Sequence, residues 1–283
     1  MLKHRLFYGT LMIIGFTAII LMDGWLDGSL TTTTPDKAVQ GTVFCILVAI
    51  LMIPGQFELA AMASSKDAKV LLPAAVIGSI VIATYWYWKQ WAPLGVIHFA
   101  LAIALSLFFT LFWQYWRYGN SNVLINCGVT YLAIGYLGLL GGFAVAIRTA
   151  FGIWPFMMFV AVVKCSDIGA YSVGKLCGKH KFSPRISPGK TWEGMAGACG
   201  AAAIVAVLFA NICDIMGSLP AVVFGVAFAF VGQMGDLAES MMKRDAGIKD
   251  SASKVPGFGG VLDIMDSPLA VAPFAYVFLS YVL

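Results

Sequence analysis

The chain has 283 residues, 60% of them hydrophobic and 11% charged, with a net charge of +4 and a mean hydropathy of +0.87. A soluble domain carries about 25% charged residues, so the composition excludes a water-soluble fold with one greasy patch. The net charge is uninformative alone, whereas the placement of the charges is informative, and no nucleic-acid partner is expected.

Charge-free runs recur along the chain, at 6–22, 38–57, 70–88, 90–116, 118–147, 194–213, 215–235 and 267–283. Each is near or above the roughly 17–20 residues that cross the hydrocarbon core. A further segment, 149–174, is long enough but holds Lys164 and Asp167. The expected fold is therefore an all-α polytopic membrane protein with about nine transmembrane helices. The basic start Met1-Leu-Lys-His-Arg5 precedes an apolar run longer than a signal peptide's, and Asp23-Gly-Trp-Leu-Asp27 follows instead of a cleavage site, so a retained first helix is expected.

With nine helices, fourteen Lys and Arg residues fall in loops on one side and three, Lys37, Lys89 and Arg148, on the other. The positive-inside rule places the richer side in the cytoplasm. The N-terminus is then cytoplasmic and the C-terminus lies on the opposite side. The inner cell membrane is the default location.

Residues 1–150 read as a membrane-helix bundle for scaffold and lipid contact, with interfacial aromatics such as Tyr85-Trp-Tyr-Trp88 and Trp113-Gln-Tyr-Trp116. Residues 151–283 read as a catalytic membrane domain with cytoplasmic loops at 175–193 and 243–262. The six cysteines contain no Cys-x-x-Cys pair and the three histidines are scattered, so neither a disulfide nor a zinc site is expected.

Charged side chains inside a bilayer cost at least about 2.5–3.5 kcal/mol at the helix centre and mark functional candidates. The first cluster, 164–194, places Asp167, Tyr171, Gly174 and Lys175 on one helical face. This polar face is expected to line a cavity, with an internal Lys164–Asp167 ion pair as the alternative. The following loop carries Lys175, Lys179, Lys181, Arg185 and Lys190 among Ser183, Ser187 and Thr191. Such a loop suits a polyphosphate, and by charge count alone it equally suits simple topology and anionic lipid. Pro188-Gly-Lys-Thr191 is no P-loop, because Pro184 stands where the first glycine belongs and no strand precedes it.

The second cluster sets Asp236, Glu239, Ser240 and Lys243 on one face of a helix end. The third has Asp263 and Asp266 three apart at the start of the last apolar run. A helix macrodipole favours an acid there by about 0.3–1 kcal/mol, which accounts for one acid more comfortably than two. With Asp236 they form an oxygen-only set suited to Mg²⁺.

Residues 240–266 resemble the signature of the phosphatidate cytidylyltransferases, or CDP-diacylglycerol synthases. The matching residues are Ser240, Lys243-Arg244, Lys249-Asp250, Pro256, Gly259-Gly260, Asp263 and Asp266. Upstream, Ser166-Asp167, Ala170-Tyr171, Ser183-Pro-Arg185-Ile-Ser187-Pro188, Lys190-Thr-Trp-Glu193-Gly194 and Gly235-Asp236 with Glu239-Ser240 also match. Phe258 and Ile264 stand where the signature has His and Arg.

The resemblance implies transfer of CMP from CTP to phosphatidate, giving CDP-diacylglycerol and pyrophosphate at the cytoplasmic face. It implies Asp236 and Asp263 as holders of Mg²⁺, with Asp167 and Asp266 as helpers and Lys243 and Arg244 in the catalytic set. Substrate-binding candidates are Lys175, Arg185, Ser187, Lys190, Thr191, Glu193, Ser240, Lys249, Asp250, Gly259 and Gly260. The expected cofactor is Mg²⁺, alone or with a second cation, and the expected partners are CTP, phosphatidate and membrane lipids, with a homodimer left open. The weighed alternatives are a CTP-dependent kinase of polyprenols or other lipid alcohols, and a membrane transporter.

Overall fold

The computed structural model describes residues 2–30, 36–252 and 259–283, with the side chains of 2–7 left aside. Pro256 and Phe258, named above, lie outside the described residues. Among the described residues there are nine helices and no sheet. They are α1 (Leu2–Asp27), α2 (Thr42–Ser64), α3 (Leu72–Trp88) and α4 (Val96–Tyr118), then α5 (Val123–Phe151), α6 (Ile153–Cys177), α7 (Trp192–Ile212), α8 (Ser218–Asp245) and α9 (Val261–Val282). Eight of these are long and apolar enough to cross a membrane, and the protein is an integral membrane protein. The remaining one, α3, has 17 residues, which at 1.5 Å per residue span about 26 Å.

The helices outrun the charge-free runs at their polar ends, because an intact backbone ladder is the only way to satisfy amides and carbonyls at the edge of lipid. Thus α8 continues through Lys243 and Arg244, and α9 begins at Val261, before Asp263.

The chain forms two compact units, residues 1–149 with 245–264, and residues 150–244 with 265–283. Residues 245–264, read above with the C-terminal half, cluster with the N-terminal helices.

In the first unit α3 packs against α2, α4 and α5. A π-helical turn interrupts α5 at Ile134–Leu139. Such a turn disturbs the carbonyl ladder, and buried Gln56 of α2 meets it by donating Nε2–H bonds to the Ala133 carbonyl (3.0 Å) and Ser79 Oγ (2.7 Å). In the same turn Gly138 lies so close to α3 that a Cβ there would sit 2.7 Å from the Ser79 Cα.

Arg148, counted above with loop charges, instead lies within α5 and is completely buried. Its Nε donates to Asp23 (3.0 Å) and its Nη2 to Asp27 (2.6 Å), both near the end of α1. The two carboxylates also accept amides at the start of α2. Asp27 takes Gly41 N at 3.0 Å and Asp23 takes Val43 N at 2.8 Å. The guanidinium and the orphan amides of α2 thus satisfy two acids that would otherwise be stranded in an apolar bundle.

In the second unit α6 and α7 cross at glycines, where a Cβ on Gly169 would lie 2.5 Å from the Gly197 carbonyl oxygen. Close small-residue crossings are the usual means of helix association in lipid. Against α8, α9 fits with similar closeness, since a Cβ on Gly235 would collide with Ala270. Phe224, Phe228 and Phe278 pack edge to face farther along the same two helices.

Removing one partner of a buried ion pair costs about 3–5 kcal/mol because the other charge is left uncompensated. Arg148→Met is therefore expected to lower the thermal unfolding midpoint in detergent micelles sharply. Joint Asp23→Asn, Asp27→Asn, Arg148→Met replacement should recover part of the loss.

Candidate functional site

Three carboxylates converge in the second unit. Asp236 and Glu239 stand one turn apart on α8, and Asp266 comes from α9. Single oxygens of the three lie within 4.8 Å of one another. Glu239 and Asp266 are buried and Asp236 is half-buried. The crossing at Gly235 and Ala270, one residue before Asp236 and one turn after Asp266, lets α8 and α9 approach closely enough for this.

Cations and donors surround the trio. Lys190 Nζ reaches Asp236 Oδ2 at 2.7 Å and donates to the Gln233 carbonyl at 2.8 Å. Lys243 Nζ pairs with Glu239 Oε2 at 2.5 Å, and Ser240 Oγ donates to Asp236 Oδ1 at 3.3 Å. Asp266 Oδ1 accepts the amide of Ser267 at 2.6 Å.

Asp167, on α6, takes Gln233 Nε2 at 3.3 Å and Ser267 Oγ at 3.4 Å, with Lys164 Nζ at 3.8 Å. The internal Lys164–Asp167 pair is therefore present, and Asp167 is also tied to α8 and α9. Four carboxylates here face three lysines.

The loop between α6 and α7 is a short ribbon. The amide of Phe182 donates to the Lys190 carbonyl (3.3 Å), and that of Trp192 to the His180 carbonyl (2.9 Å). Thr191 caps α7 by accepting the Gly194 amide at 3.1 Å. Glu193 closes the ribbon's base, accepting the Lys179 amide at 3.1 Å and meeting His180 Nδ1 at 2.6 Å. Thr191 and Glu193 thus shape the loop that carries Lys190 toward Asp236. Ser187 sits within this ribbon, its amide donating to the Ser183 carbonyl at 3.0 Å. Arg185 and Lys175 are exposed, the ammonium of Lys175 lying 5.6 Å from the Tyr171 ring. Arg244 is exposed too and donates from Nε to the Ile186 carbonyl at 3.3 Å.

The remaining expected residues belong to the first unit. Asp263 Oδ2 accepts from Ser251 N (2.9 Å), Ser251 Oγ (2.7 Å) and Gly260 N (2.7 Å). Gly259 has φ +87°, a left-handed conformation that glycine adopts without strain. Lys249 and Asp250 are exposed on the segment leading there.

Glu239, read above as part of a helical face and of the family match but not among the metal holders, stands beside Asp236 and Asp266 in the trio. The i, i+3 spacing from Asp236 was its signal. Gln233 and Glu58 carried a weaker one, the first a polar residue in an apolar run and the second the one charged residue of α2.

A cytidylyltransferase family model matches residues 3–282. The chain belongs to the cytidylyltransferase family. It is 31% identical over 252 residues to the phosphatidate cytidylyltransferase of Brucella suis, covering 73% of this chain and 93% of that relative. It is 32% identical over 250 residues to the phosphatidate cytidylyltransferase of Bacillus subtilis, covering 84% and 88%. A shorter match to the enzyme of that name from Mycobacterium bovis reaches 43% identity over 132 residues, 45% of this chain and 41% of the relative.

The donor set of the trio is oxygen only and anionic, which suits a hard divalent cation that keeps several waters. A ligand that binds only the folded state stabilises it by about 2.7 kcal/mol at a hundred times its dissociation constant. Millimolar Mg²⁺ is therefore expected to raise the unfolding midpoint of the wild-type protein, and Asp266→Asn to abolish most of that rise. Thermal unfolding with and without a chelator measures both.

Proposed function

We propose that the chain is a phosphatidate cytidylyltransferase: CTP and phosphatidate react to give CDP-diacylglycerol and pyrophosphate. An oxygen of the phosphatidate phosphate forms a bond to the α-phosphorus of CTP. The bond from that phosphorus to the α,β-bridging oxygen breaks, and pyrophosphate leaves. The single observation that carries this reading is the carboxylate trio ringed by lysines, in a chain that matches the cytidylyltransferase family along almost its whole length.

The nucleophile needs no activating base, because a phosphomonoester with a second pKa of about 6 is already anionic near neutral pH. The demand is to hold two polyanions together and to stabilise the charge shifting onto the leaving group. Positioning and electrostatics supply most of the catalysis in phosphoryl transfer.

Asp236, Glu239 and Asp266 are the residues placed to hold Mg²⁺, with Asp167 fixing their surroundings through Gln233 and Ser267. Mg²⁺ bound there supplies positive charge to the phosphate oxygens of CTP. Lys190 and Lys243, each now on a carboxylate, are assigned to the triphosphate and departing pyrophosphate, together with Arg185 and Arg244. In the absence of substrate these lysines balance the acids, so exchange of a carboxylate partner for a phosphate costs little rearrangement.

Asp263 was expected among the metal ligands. Its three bonds to Ser251 and Gly260 support a role in shaping the loop before α9. The orientation that follows from loop charge puts the α6–α7 loop and the approach to α9 on the cytoplasmic side, where CTP is available. The acyl chains of phosphatidate then stay in the bilayer.

Purified protein incubated with CTP, phosphatidate and Mg²⁺ is expected to form CDP-diacylglycerol and pyrophosphate in equal amounts, detected by lipid mass spectrometry and a pyrophosphate assay. Asp236→Ala should reduce kcat by about 100-fold or more, as loss of an electrostatic group in the transition state does, while the protein remains folded. A lipid monophosphate in place of the CDP-lipid would sink the reading.

A further inference from the structure

We propose that Glu58 is a positioning residue for this reaction, clamping the start of α9 and the loop that leads into it. The proposal rests on the cytidylyl-transfer reading above. Glu58 is the one charged residue in α2, a helix of 23 residues. Its side chain is buried, at 3% exposure. A carboxylate held there, inside a spanning helix, needs donors, and α9 provides them.

Oε1 accepts the amide of Val261 at 3.1 Å, and Oε2 accepts the amide of Leu262 at 3.0 Å. These are the first two residues of α9, whose amides have no carbonyl of their own helix to bond. The negative charge also meets the positive end of the α9 dipole. Glu58 therefore caps a helix that begins about two hundred residues later in the chain.

The clamp extends into the loop. Ser251 Oγ lies 3.0 Å from Glu58 Oε2 and 2.7 Å from Asp263 Oδ2. A serine hydroxyl has one proton, so it donates to one of these carboxylates at a time and holds the two acids as a coupled pair. Ser251 and Gly260 bracket the end of the loop, and both bond to Asp263. A side chain on Gly260 would collide with Ser251 Oγ and with the Glu58 carboxylate. Residue 260 thus has room only for glycine.

Asp263 takes the Gly260 amide from within its own first turn, and the next two amides, of Val261 and Leu262, fall to Glu58. The added bonds from Glu58 fix the direction in which α9 starts, and Asp266 follows one turn along that helix. Asp266 of the trio thus stands on the helix whose start Glu58 clamps. Glu58 touches neither substrate nor metal in this account, and acts through the α9 backbone.

The test uses full-length protein in micelles with Glu58→Gln and, as a milder change, Ser251→Ala. Glutamine keeps the shape but sets an N–H donor against one of the α9 amides. Hydrogen exchange of the segment containing Val261 and Leu262 is expected to quicken by about tenfold or more, while the other helices keep their protection. The kcat for CDP-diacylglycerol formation should fall about 10- to 100-fold, as small misplacements of catalytic groups do. KM for CTP should stay within about threefold, and Ser251→Ala should shift exchange and kcat the same way by less.

Wild-type kcat and wild-type exchange in Glu58→Gln would overturn the proposal. So would a loss of kcat that accompanies a general loss of protection throughout the chain. Wild-type protein that forms no CDP-diacylglycerol overturns the reaction reading instead. The exchange at Val261 and Leu262 then still decides whether the clamp exists.

Discussion

A carboxylate removed from water must find a cation or a set of N–H and O–H donors, since an unpaired buried charge costs several kcal/mol or more. In a chain where 60% of residues are hydrophobic, that constraint shapes the surroundings of the acids within the helices. Asp23 and Asp27 are met by Arg148 and by the first amides of α2. Glu58 and Asp263 are met by Ser251 and by the amides that open α9. Asp236 and Glu239 are met by Lys190 and Lys243. The same rule yields a structural staple in one place, a helix clamp in another and a candidate cation site in the third.

The three differ in how completely the acids are satisfied from within. Asp23, Asp27 and Glu58 take backbone amides, which cannot leave, and such groups suit fixed architecture. Asp236 and Glu239 depend on lysine ammonium groups on long, flexible stems, and these can exchange a carboxylate for a phosphate. Exchangeable compensation is what a site for polyanions requires, because the protein must be stable before substrate arrives and electropositive toward it afterwards. The glycines at the α6–α7 and α8–α9 crossings serve the same end. They remove side-chain bulk where helix backbones must approach for carboxylates from different helices to meet.

Much of this was legible in the residues themselves. Nine helices follow from hydrophobic runs, and Asp236, Glu239, Ser240 and Lys243 follow from helical spacing on one face. Asp266 was placed with Asp236 because a spanning helix seldom opens with two acids. Glu58 was not read at all. A single carboxylate in an apolar run does not announce its partner, and its donors are backbone amides, which every residue carries and no sequence pattern marks. Arg148 was misplaced among loop charges for a related reason, since its helix continues one turn past the apolar run and its counter-ions sit on a different helix.

The sequence by itself determined the solvent of this protein, the count of its helices and the residue types available for chemistry, because hydropathy and periodicity are local properties. It also carried the motif that places the chain among the cytidylyltransferases. Only the tertiary structure decided which acids stand together. Asp263 and Asp266 are equal as letters, three apart on one helix. Asp263 is surrounded by the donors of the loop before α9, whereas Asp266 stands beside Asp236 and Glu239. Which neighbours a carboxylate meets depends on helix crossings between residues far apart in the chain, and no local pattern encodes that distance.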